Sequence, residues 1–309
     1  MKYYLGVDLG GTNIVAGLVD GDANILARDS VRTNIPRRAE DICGDIAALC
    51  ARIMQSTGLS MGDVEWIGIG SPGIILDGVV RYANNLQFCE EPLAAMVERM
   101  TGKTTLLQND GNAAAYGELL VGAGRGHRSL IAITLGTGVG GGIVIDNRIH
   151  SGFNGAAGEI GHTVIHYGGR LCTCGKAGCI EAYCSATAIR KITAEAMERH
   201  PESRMWQHIG QNGRISAKTP FAAAREGDSA AKKVVDEFLL HLSIAVSNAI
   251  NLLQPEVVCI GGGVSREGDY IIEPVRELVA KQTYLPKEEH RTRIVASQLG
   301  DDAGLIGAA

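Results

Sequence analysis

The pattern of apolar and polar residues predicts regular elements from the start of the chain. Apolar residues recur in short runs over 3–9, 13–20 and 25–33, which predicts three strands joined by tight turns. From residue 39 the apolar positions recur at steps of three and four instead. This spacing predicts an amphipathic helix over 39–57.

The remainder of the chain follows the same alternation of strands and helices. Further strands are predicted at 65–70, 104–108, 129–135, 141–146, 257–260 and 293–297, and further helices at 92–101, 111–121, 182–199, 219–226, 229–253, 270–282 and from 302. Residues 149–151 and 160–166 are expected to complete a third strand of the second half. The order β-β-β-α-β-α-β-α thus occurs about twice, which predicts two α/β domains with a ligand-binding cleft between them.

Composition narrows the class of protein. Apolar residues make up 45% of the chain and charged residues 20%, which is typical of a soluble globular protein. The net charge of −5 disfavours nucleic acid as a main partner. We expect no signal peptide and no membrane span, because the start lacks a long apolar segment and the most apolar helical stretch, near 238–253, carries polar residues. The eight cysteines are interpreted as thiols in a reducing cytoplasm rather than as disulfides.

Glycine clusters follow several of the predicted strands. The first is Asp8-Leu-Gly10-Gly11-Thr12-Asn13, where backbone N–H groups and the Thr12 hydroxyl would face anionic oxygens and Asp8 would hold Mg²⁺ through water. A plain hairpin turn is the alternative. The second runs from Thr134 through Thr137 and Gly138 to Gly142. A strand rather than a helix follows it, which argues against a Rossmann loop and favours a second strand-turn-strand phosphate loop.

Three further segments carry polar side chains or bare backbone at strand ends. Asp110, in Asn109-Asp110-Gly-Asn, is either a helix N-cap or a general base that takes the proton of an attacking hydroxyl. The run Gly261-Gly262-Gly263 would lie against adenosine, with an ordinary strand-to-helix turn as the alternative. The segment Gly70-Ser-Pro-Gly73, with Asn84-Asn85, offers amides to a hydroxyl or forms a polar loop.

The most specific pattern lies between residues 156 and 181. His162, Cys172, Cys174 and Cys179 have the spacing of a tetrahedral Cys3His zinc site, although His166 is an alternative to His162. Four protein ligands would close the coordination shell, so the metal is expected to be structural. Glu159 and Glu181 flank the ligands, and such acids suit a small polyhydroxylated ligand.

Together these motifs resemble the ROK family of sugar kinases and sugar-responsive repressors, over nearly the whole chain. The resemblance implies an α/β, actin-like and hexokinase-like (ribonuclease H-like) duplicated fold of two domains with an interdomain cleft. The small domain would comprise 1–113 with 297–309, and the large domain, with the inserted zinc segment, 114–296. ATP, Mg²⁺, structural Zn²⁺ and a homodimer are also implied.

The resemblance also assigns roles to residues. Asp110 matches the catalytic base, and His162 rather than His166 matches the zinc ligand. Sugar-binding positions are Gly73, Asn85, Asn109, Asp110, Glu159, His162 and Glu181. Nucleotide-binding positions are Asp8, Gly10, Gly11, Thr12, Asn13, Thr137, Gly138, Gly262 and Gly263.

An enzyme is favoured over a transcriptional regulator. Repressors of the family carry an additional N-terminal DNA-binding region, whereas the first predicted strand here begins at Tyr3. The expected reaction is ATP-dependent phosphorylation of a hexose at its 6-hydroxyl. Glucose is the expected substrate, with mannose, fructose, allose, N-acetylglucosamine or N-acetylmannosamine as alternatives, and polyphosphate remains an alternative donor to ATP.

Overall fold

The computed structural model describes residues 2–210, 212–284 and 291–309. Its strands are β1 (Tyr3–Leu9), β2 (Asn13–Asp20), β3 (Ile25–Arg32), β4 (Val64–Ser71), β5 (Ile74–Leu76), β6 (Val79–Ala83), β7 (Phe88–Glu91), β8 (Thr105–Asn109), β9 (Leu130–Leu135), β10 (Val139–Ile145), β11 (Arg148–Ile149), β12 (Val257–Gly261) and β13 (Arg293–Ala296). Its α-helices are α1 (Ala39–Thr57), α2 (Leu93–Thr101), α3 (Asp110–Val121), α4 (Glu181–Cys184), α5 (Ala186–Arg199), α6 (Thr219–Arg225), α7 (Ser229–Leu253), α8 (Asp269–Ala280) and α9 (Ala303–Ala308).

The chain forms two compact units. Unit 1 comprises Met1–Ala132, Gly142–Gly158 and Gln298–Ala309, and unit 2 comprises Ile133–Gly141 and Glu159–Ser297. The predicted division into a small domain of 1–113 with 297–309 and a large domain of 114–296 stays a prediction.

Unit 1 is built on a five-stranded mixed sheet with the order β3-β2-β1-β4-β8. The hairpins β1–β2 and β2–β3 are antiparallel, whereas β4 lies parallel to both β1 and β8. The apolar stripe of α1 is buried from Ile42 to Ile53 and packs in the same core as the strands. This burial confirms the helix over 39–57 and the face that was expected to be apolar.

A separate three-stranded antiparallel sheet, β5-β6-β7, was not predicted. Its strands are short, and the Gly-Pro turn before them had been interpreted as the start of a polar loop. A signal was present nonetheless. Asp77 and Gly78 lie between apolar runs and both have positive φ, 51° and 75°, as a two-residue hairpin requires.

The last helix, α9, returns to unit 1 and packs closely against β1, β4 and α3. A Cβ atom at Gly6 or Gly68 would overlap backbone atoms of α9, and a Cβ at Gly307 would overlap the backbone of α3. Glycine is therefore needed at these contacts because the backbones approach one another directly. The last helix of the chain thus packs against elements of its N-terminal part, while the assignment of 297–309 to a small domain stays a prediction.

Unit 2 carries most of the helices and the segment with the predicted metal ligands. The second five-stranded sheet has the order β11-β10-β9-β12-β13. Its strands β12 and β13 belong to unit 2, and β12 is buried at every residue. The longest helix, α7, buries one face against α5, α6 and α8. Of the described helices, none has the length and apolar character that crossing a membrane would need.

Two predicted elements of the second half were wrong. The strand expected from 149–151 and 160–166 is reduced to β11, and Ile160–His162 forms a 3₁₀ turn instead. The turn forms because Gly161 lies against the backbone of Val139 and the His162 N–H donates to the Glu159 carbonyl. The single helix predicted over 182–199 is split at Ser185, whose side chain caps α5 by accepting from the Ala188 N–H.

Candidate active site

Asp8 lies in β1 next to its C-terminal end, beside the parallel strand β4. Burial, followed by the charges of Asp110 and Asp301, raises the pKa of its carboxyl to about 6. These three acids all belong to unit 1. A partly buried carboxylate at a strand end is the kind of group that holds a hydrated Mg²⁺ beside phosphates, and a bound cation would favour its ionised form.

The first glycine turn joins β1 to β2, and Thr33, which follows β3, forms a hydrogen bond with it. The Gly10 N–H donates to the Asn13 carbonyl at 2.9 Å, and the hydroxyl of buried Thr33 donates to the Gly10 carbonyl at 2.7 Å. Gly11, Thr12 and Asn13 remain exposed. The turn is thus a hairpin, which was the alternative to a phosphate loop. The two interpretations are compatible, because the exposed residues of the turn leave hydrogen-bond donors accessible to a phosphate group.

Asp110 is the first residue of α3, and the N-cap of that helix is Asn109. The Asn109 side-chain oxygen accepts from the Asn112 N–H at 3.1 Å, and its amide nitrogen donates to the Gly73 carbonyl at 3.0 Å. The alternative in which Asp110 is the N-cap was therefore wrong. Burial raises the pKa of the Asp110 carboxyl, although a hydrogen bond from the Gly111 N–H opposes this shift.

Gly73 and Asn85 lie near the small sheet β5-β6-β7. Gly73 has φ +100°, and a Cβ there would overlap the backbone of β6. Asn85 is exposed in the turn between β6 and β7. The Asn109–Gly73 hydrogen bond links the start of α3 to this region.

In unit 2 the four predicted metal ligands come together. One ligand atom from each of His162, Cys172, Cys174 and Cys179 lies within 4.8 Å of the others. The Sγ atoms of Cys174 and Cys179 are 3.7 Å apart, and Cys172 Sγ is 3.7 Å from His162 Nδ1. Two thiolates bound to one zinc ion at ordinary bond lengths lie about 3.8 Å apart, so the cluster fits a tetrahedral zinc site.

His166 is not part of this cluster. Its Nδ1 lies 3.4 Å from the hydroxyl of Tyr183, and its carbonyl lies close to Gly178. The residue therefore braces the backbone of the metal segment through Tyr183 and Gly178. His162 rather than His166 therefore lies with the three cysteines, and its role as the zinc ligand stays a prediction.

The second glycine turn, Gly136–Val139, contacts several of the predicted site segments of unit 2. The Val139 N–H donates to Glu181 Oε2 at 3.1 Å, and a Cβ at Gly138 would collide with the same oxygen. The Ala186 N–H donates to the Gly136 carbonyl at 2.8 Å. Glu181 and the start of α5 thus hold the two ends of the turn.

The third glycine cluster, at Gly262, lies against the residue that precedes the second glycine turn. Gly262 has φ +86°, and a Cβ there would lie 2.5 Å from the carbonyl oxygen of Leu135, directly before the second turn. A Cβ at Gly263 would meet nothing within 4 Å, which leaves its backbone accessible. The strand-to-helix turn and the proposed nucleotide surface are therefore compatible interpretations of this cluster.

Several residues that support the site were not predicted. Gln108 Oε1 accepts the Asn109 N–H at 2.8 Å, and the buried Asn112 bridges Gln108 and the Ile143 N–H. Thr173 donates its hydroxyl to Glu181 Oε1 at 2.5 Å. Sequence spacing gave no signal for Thr173, because its partner lies eight positions away across a loop without regular structure.

Known proteins resemble this chain over its whole length. The family model for the ROK family matches residues 4–309. The glucokinase of Thermotoga maritima is 39% identical over 308 residues, which cover 99% of this chain and 95% of that protein. The glucokinase of Streptomyces coelicolor is 36% identical over 315 residues, with coverage of 100% and 97%.

Solved structures agree with this result. The crystal structure of a ROK family glucokinase from Streptomyces griseus in complex with glucose and AMPPNP matches with a TM-score of 0.82 at 37% identity, covering 99% of this chain and 98% of that one. The two mixed sheets and their glycine turns define an α/β protein of the actin-like, hexokinase-like class. Within that class, the chain belongs to the ROK family.

Proposed function

We propose that this protein is a sugar kinase that transfers the γ-phosphoryl group of ATP to the 6-hydroxyl of glucose. The observation that carries this proposal is the pair of carboxylates Asp110 and Asp8. Both lie in unit 1 at strand ends, and their charges interact. The full-length relatives that are named glucokinases supply glucose as the first substrate to test.

Asp110 is proposed as the general base. Its carboxyl has a raised pKa because it is buried, and a base whose pKa approaches the working pH transfers protons efficiently. The carboxylate would accept the proton of the 6-hydroxyl as the oxygen attacks phosphorus. Asn109, whose amide is fixed by Gly73 and α3, would hold a neighbouring sugar hydroxyl.

The remaining sugar hydroxyls are assigned to Gly73, Asn85, Glu159, His162 and Glu181. With His162 Nδ1 directed at Cys172, the other ring nitrogen is available to a sugar hydroxyl. Phosphate oxygens are assigned to the turns at Gly10–Asn13 and Thr137–Gly138, and the adenosine to Gly262 and Gly263. Mg²⁺ bound with ATP would neutralise charge on the phosphates, and Asp8 would hold it through water.

Zinc has a structural rather than a catalytic role in this proposal. Three thiolates and one imidazole complete a tetrahedral shell and leave no position for water or substrate. The metal segment joins the 3₁₀ turn at Ile160–His162 to α4, which begins at Glu181. Fixing this segment would place both Glu159 and Glu181.

A coupled assay with a panel of hexoses tests the substrate. Glucose, mannose, fructose, allose, N-acetylglucosamine and N-acetylmannosamine would each be tried with ATP and with polyphosphate. We expect the highest kcat/KM for glucose with ATP. Absence of phosphorylation of every sugar would refute the proposed function, and a different preferred hexose would refute only the choice of glucose.

Replacing Asp110 tests the mechanism. Asp110→Asn should lower kcat by roughly 10²- to 10⁴-fold, the usual contribution of a general base, and leave glucose affinity within a few-fold of the unchanged protein. Asp77→Asn is the matched control, because Asp77 is an exposed acid of the same unit. Full activity of Asp110→Asn would remove this residue from the mechanism.

We further propose a homodimer, which the family resemblance implies. Light scattering would then give a mass twice the 32.6 kDa of one chain. A mass of one chain at micromolar concentration would contradict this proposal without affecting the kinase activity. The cytoplasmic location stays a prediction.

A further inference from the structure

We infer that Thr173 is a positioning residue that orients the carboxylate of Glu181 for sugar binding. Thr173 is exposed and stands between two of the clustered ligands, Cys172 and Cys174. The inference rests on the proposed function, because it takes Glu181 as a ligand of the sugar.

Each oxygen of the Glu181 carboxylate accepts a hydrogen bond from a different part of unit 2. Oε1 accepts from the Thr173 hydroxyl at 2.5 Å, and Oε2 accepts from the Val139 N–H at 3.1 Å. The terminal torsion of a glutamate side chain has only a weak preference of its own. Donors on both oxygens therefore fix the plane of the carboxylate, which one donor alone would leave free to turn.

A fixed plane matters because the hydroxyls of a sugar ring have fixed directions. An ionised carboxylate offers about four acceptor positions, and the two donors leave about two of them for the sugar. A carboxylate that must be ordered on binding costs affinity, whereas one that is already ordered does not. Loss of the Thr173 hydroxyl should therefore weaken sugar binding more than it slows phosphoryl transfer.

The metal site makes Thr173 the main side-chain donor to Oε1. Cys172 Sγ also lies 3.6 Å from this oxygen, but a cysteine that binds zinc is a thiolate and has no proton to donate. The backbone that carries Thr173 is closed by hydrogen bonds from the Cys172 N–H to the Lys176 carbonyl at 2.8 Å and from the Gly175 N–H to the Cys172 carbonyl at 3.0 Å. Thr173 thus transmits the position of the metal segment to Glu181 without being a ligand itself.

Three variants test this inference. Thr173→Val removes the hydroxyl and keeps the shape of the side chain, Thr173→Ser restores the hydroxyl, and Thr187→Val makes the same exchange at an exposed threonine of α5. Glucose KM, kcat, the dissociation constant for glucose without nucleotide and the zinc content per chain would be measured for each.

We expect Thr173→Val to raise the KM and the dissociation constant for glucose roughly 3- to 10-fold. This is less than the loss of a hydrogen bond to a charged group, because the Val139 N–H still holds the other oxygen of Glu181. Its kcat should change less than about twofold, and its zinc content should equal that of the unchanged protein. Thr173→Ser should restore most of the affinity, and Thr187→Val should have no effect.

Two results would overturn the inference. Unchanged glucose affinity in Thr173→Val with zinc retained would show that the hydroxyl does not orient Glu181. Loss of zinc from Thr173→Val would show that Thr173 acts through the metal site instead. Failure of the proposed function is distinct from both, because the unchanged protein would then phosphorylate no hexose.

Discussion

At the scale of residues, the surroundings of each polar group decide which chemistry it can perform. Asp8 and Asp110 have the same side chain and lie near each other, yet their neighbours differ. Asp8 experiences the charges of Asp110 and Asp301 in addition to burial, whereas Asp110 also accepts a hydrogen bond from the Gly111 N–H. Glu181 differs again, because donors occupy both of its oxygens.

The raised pKa of Asp8 predicts a pH-dependent cost to stability. The folded state binds a proton at a pKa of about 6 and the unfolded state at 3.8, so the ionised carboxyl destabilises the fold above pH 6. This cost diminishes as the pH falls from 6 and is gone below 3.8. Asp8→Asn should therefore be more stable than the unchanged protein at pH 8, with a smaller difference at pH 5.

Thermal unfolding at both pH values, without Mg²⁺ or nucleotide, measures this difference. Asp22→Asn, at an exposed acid of the same unit, serves as the control and should show no pH-dependent gain. An equal stability difference for Asp8→Asn at pH 5 and pH 8 would contradict the assigned pKa.

Gly138 and Gly136 provide a matched pair within the second glycine turn. A Cβ at Gly138 would collide with Glu181 Oε2, whereas a Cβ at Gly136 would meet nothing within 4 Å. Gly138→Ala should therefore displace the carboxylate and raise the glucose KM by about tenfold or more, the loss of a hydrogen bond to a charged group. Gly136→Ala should change it much less, and equal effects of the two substitutions on steady-state kinetics would contradict this contact.

At the scale of elements, the metal segment between the 3₁₀ turn and α4 is the least regular part of the candidate site. Its internal order comes from two isolated bridges, several turns and the four clustered ligands. A segment with so few backbone pairs depends on its cross-links, and a structural zinc ion contributes directly to folding. Contacts from the buried Tyr183 to His166, His241 and the Arg170 N–H also hold the segment in place.

Removing one ligand tests this dependence. Cys172→Ser should lose zinc and lower glucose affinity by roughly tenfold or more, because Glu159 and Glu181 lose their fixed positions. Cys89→Ser, at an exposed cysteine outside the cluster, is the control. Metal analysis with glucose titration measures both effects, and unchanged metal content together with unchanged affinity would refute the bracing role.

At the scale of the whole molecule, the end of the chain completes the unit with which the chain begins. Helix α9 lies against β1, β4 and α3, and Gly304 of that helix approaches the carboxylate of Asp8. Glu118 of α3 accepts hydrogen bonds from the Gln298 and Leu299 N–H groups at the start of this segment. Folding of unit 1 therefore needs residues separated by almost the full length of the chain.

Two glycines of α9 test this packing. Gly307→Ala should destabilise the protein by about 1–3 kcal/mol, the usual cost of overpacking, because the new Cβ would overlap the backbone of α3. Gly304→Ala is the control, since its Cβ would be in ordinary contact at 3.5 Å and alanine favours a helix. Chemical denaturation compares the two, and equal stabilities would show that α9 does not pack as described.

Much of the secondary structure followed from local patterns. The helix α1 and the strands β1 and β2 begin and end where the spacing of apolar residues predicted, because each is amphipathic or bounded by turn residues. The cysteines of the predicted metal site were found because their spacing is short, whereas His162 was chosen over His166 through the family resemblance. The small sheet β5-β6-β7 was missed although Asp77-Gly78 indicated a hairpin, since its strands have only three to five residues.

The sequence by itself determined the α/β class, the glycine turns, the three closely spaced cysteines of the predicted metal site and the carboxylates that carry the proposed chemistry, because all of these depend on residues close together in the chain. The tertiary structure alone decided that the charge of Asp110 contributes to the raised pKa of Asp8 and that Thr173 and Val139 both donate hydrogen bonds to Glu181. These interactions depend on burial and on contacts between segments that are far apart in the sequence. Burial and such contacts exist only in the folded chain, so no local pattern predicts them.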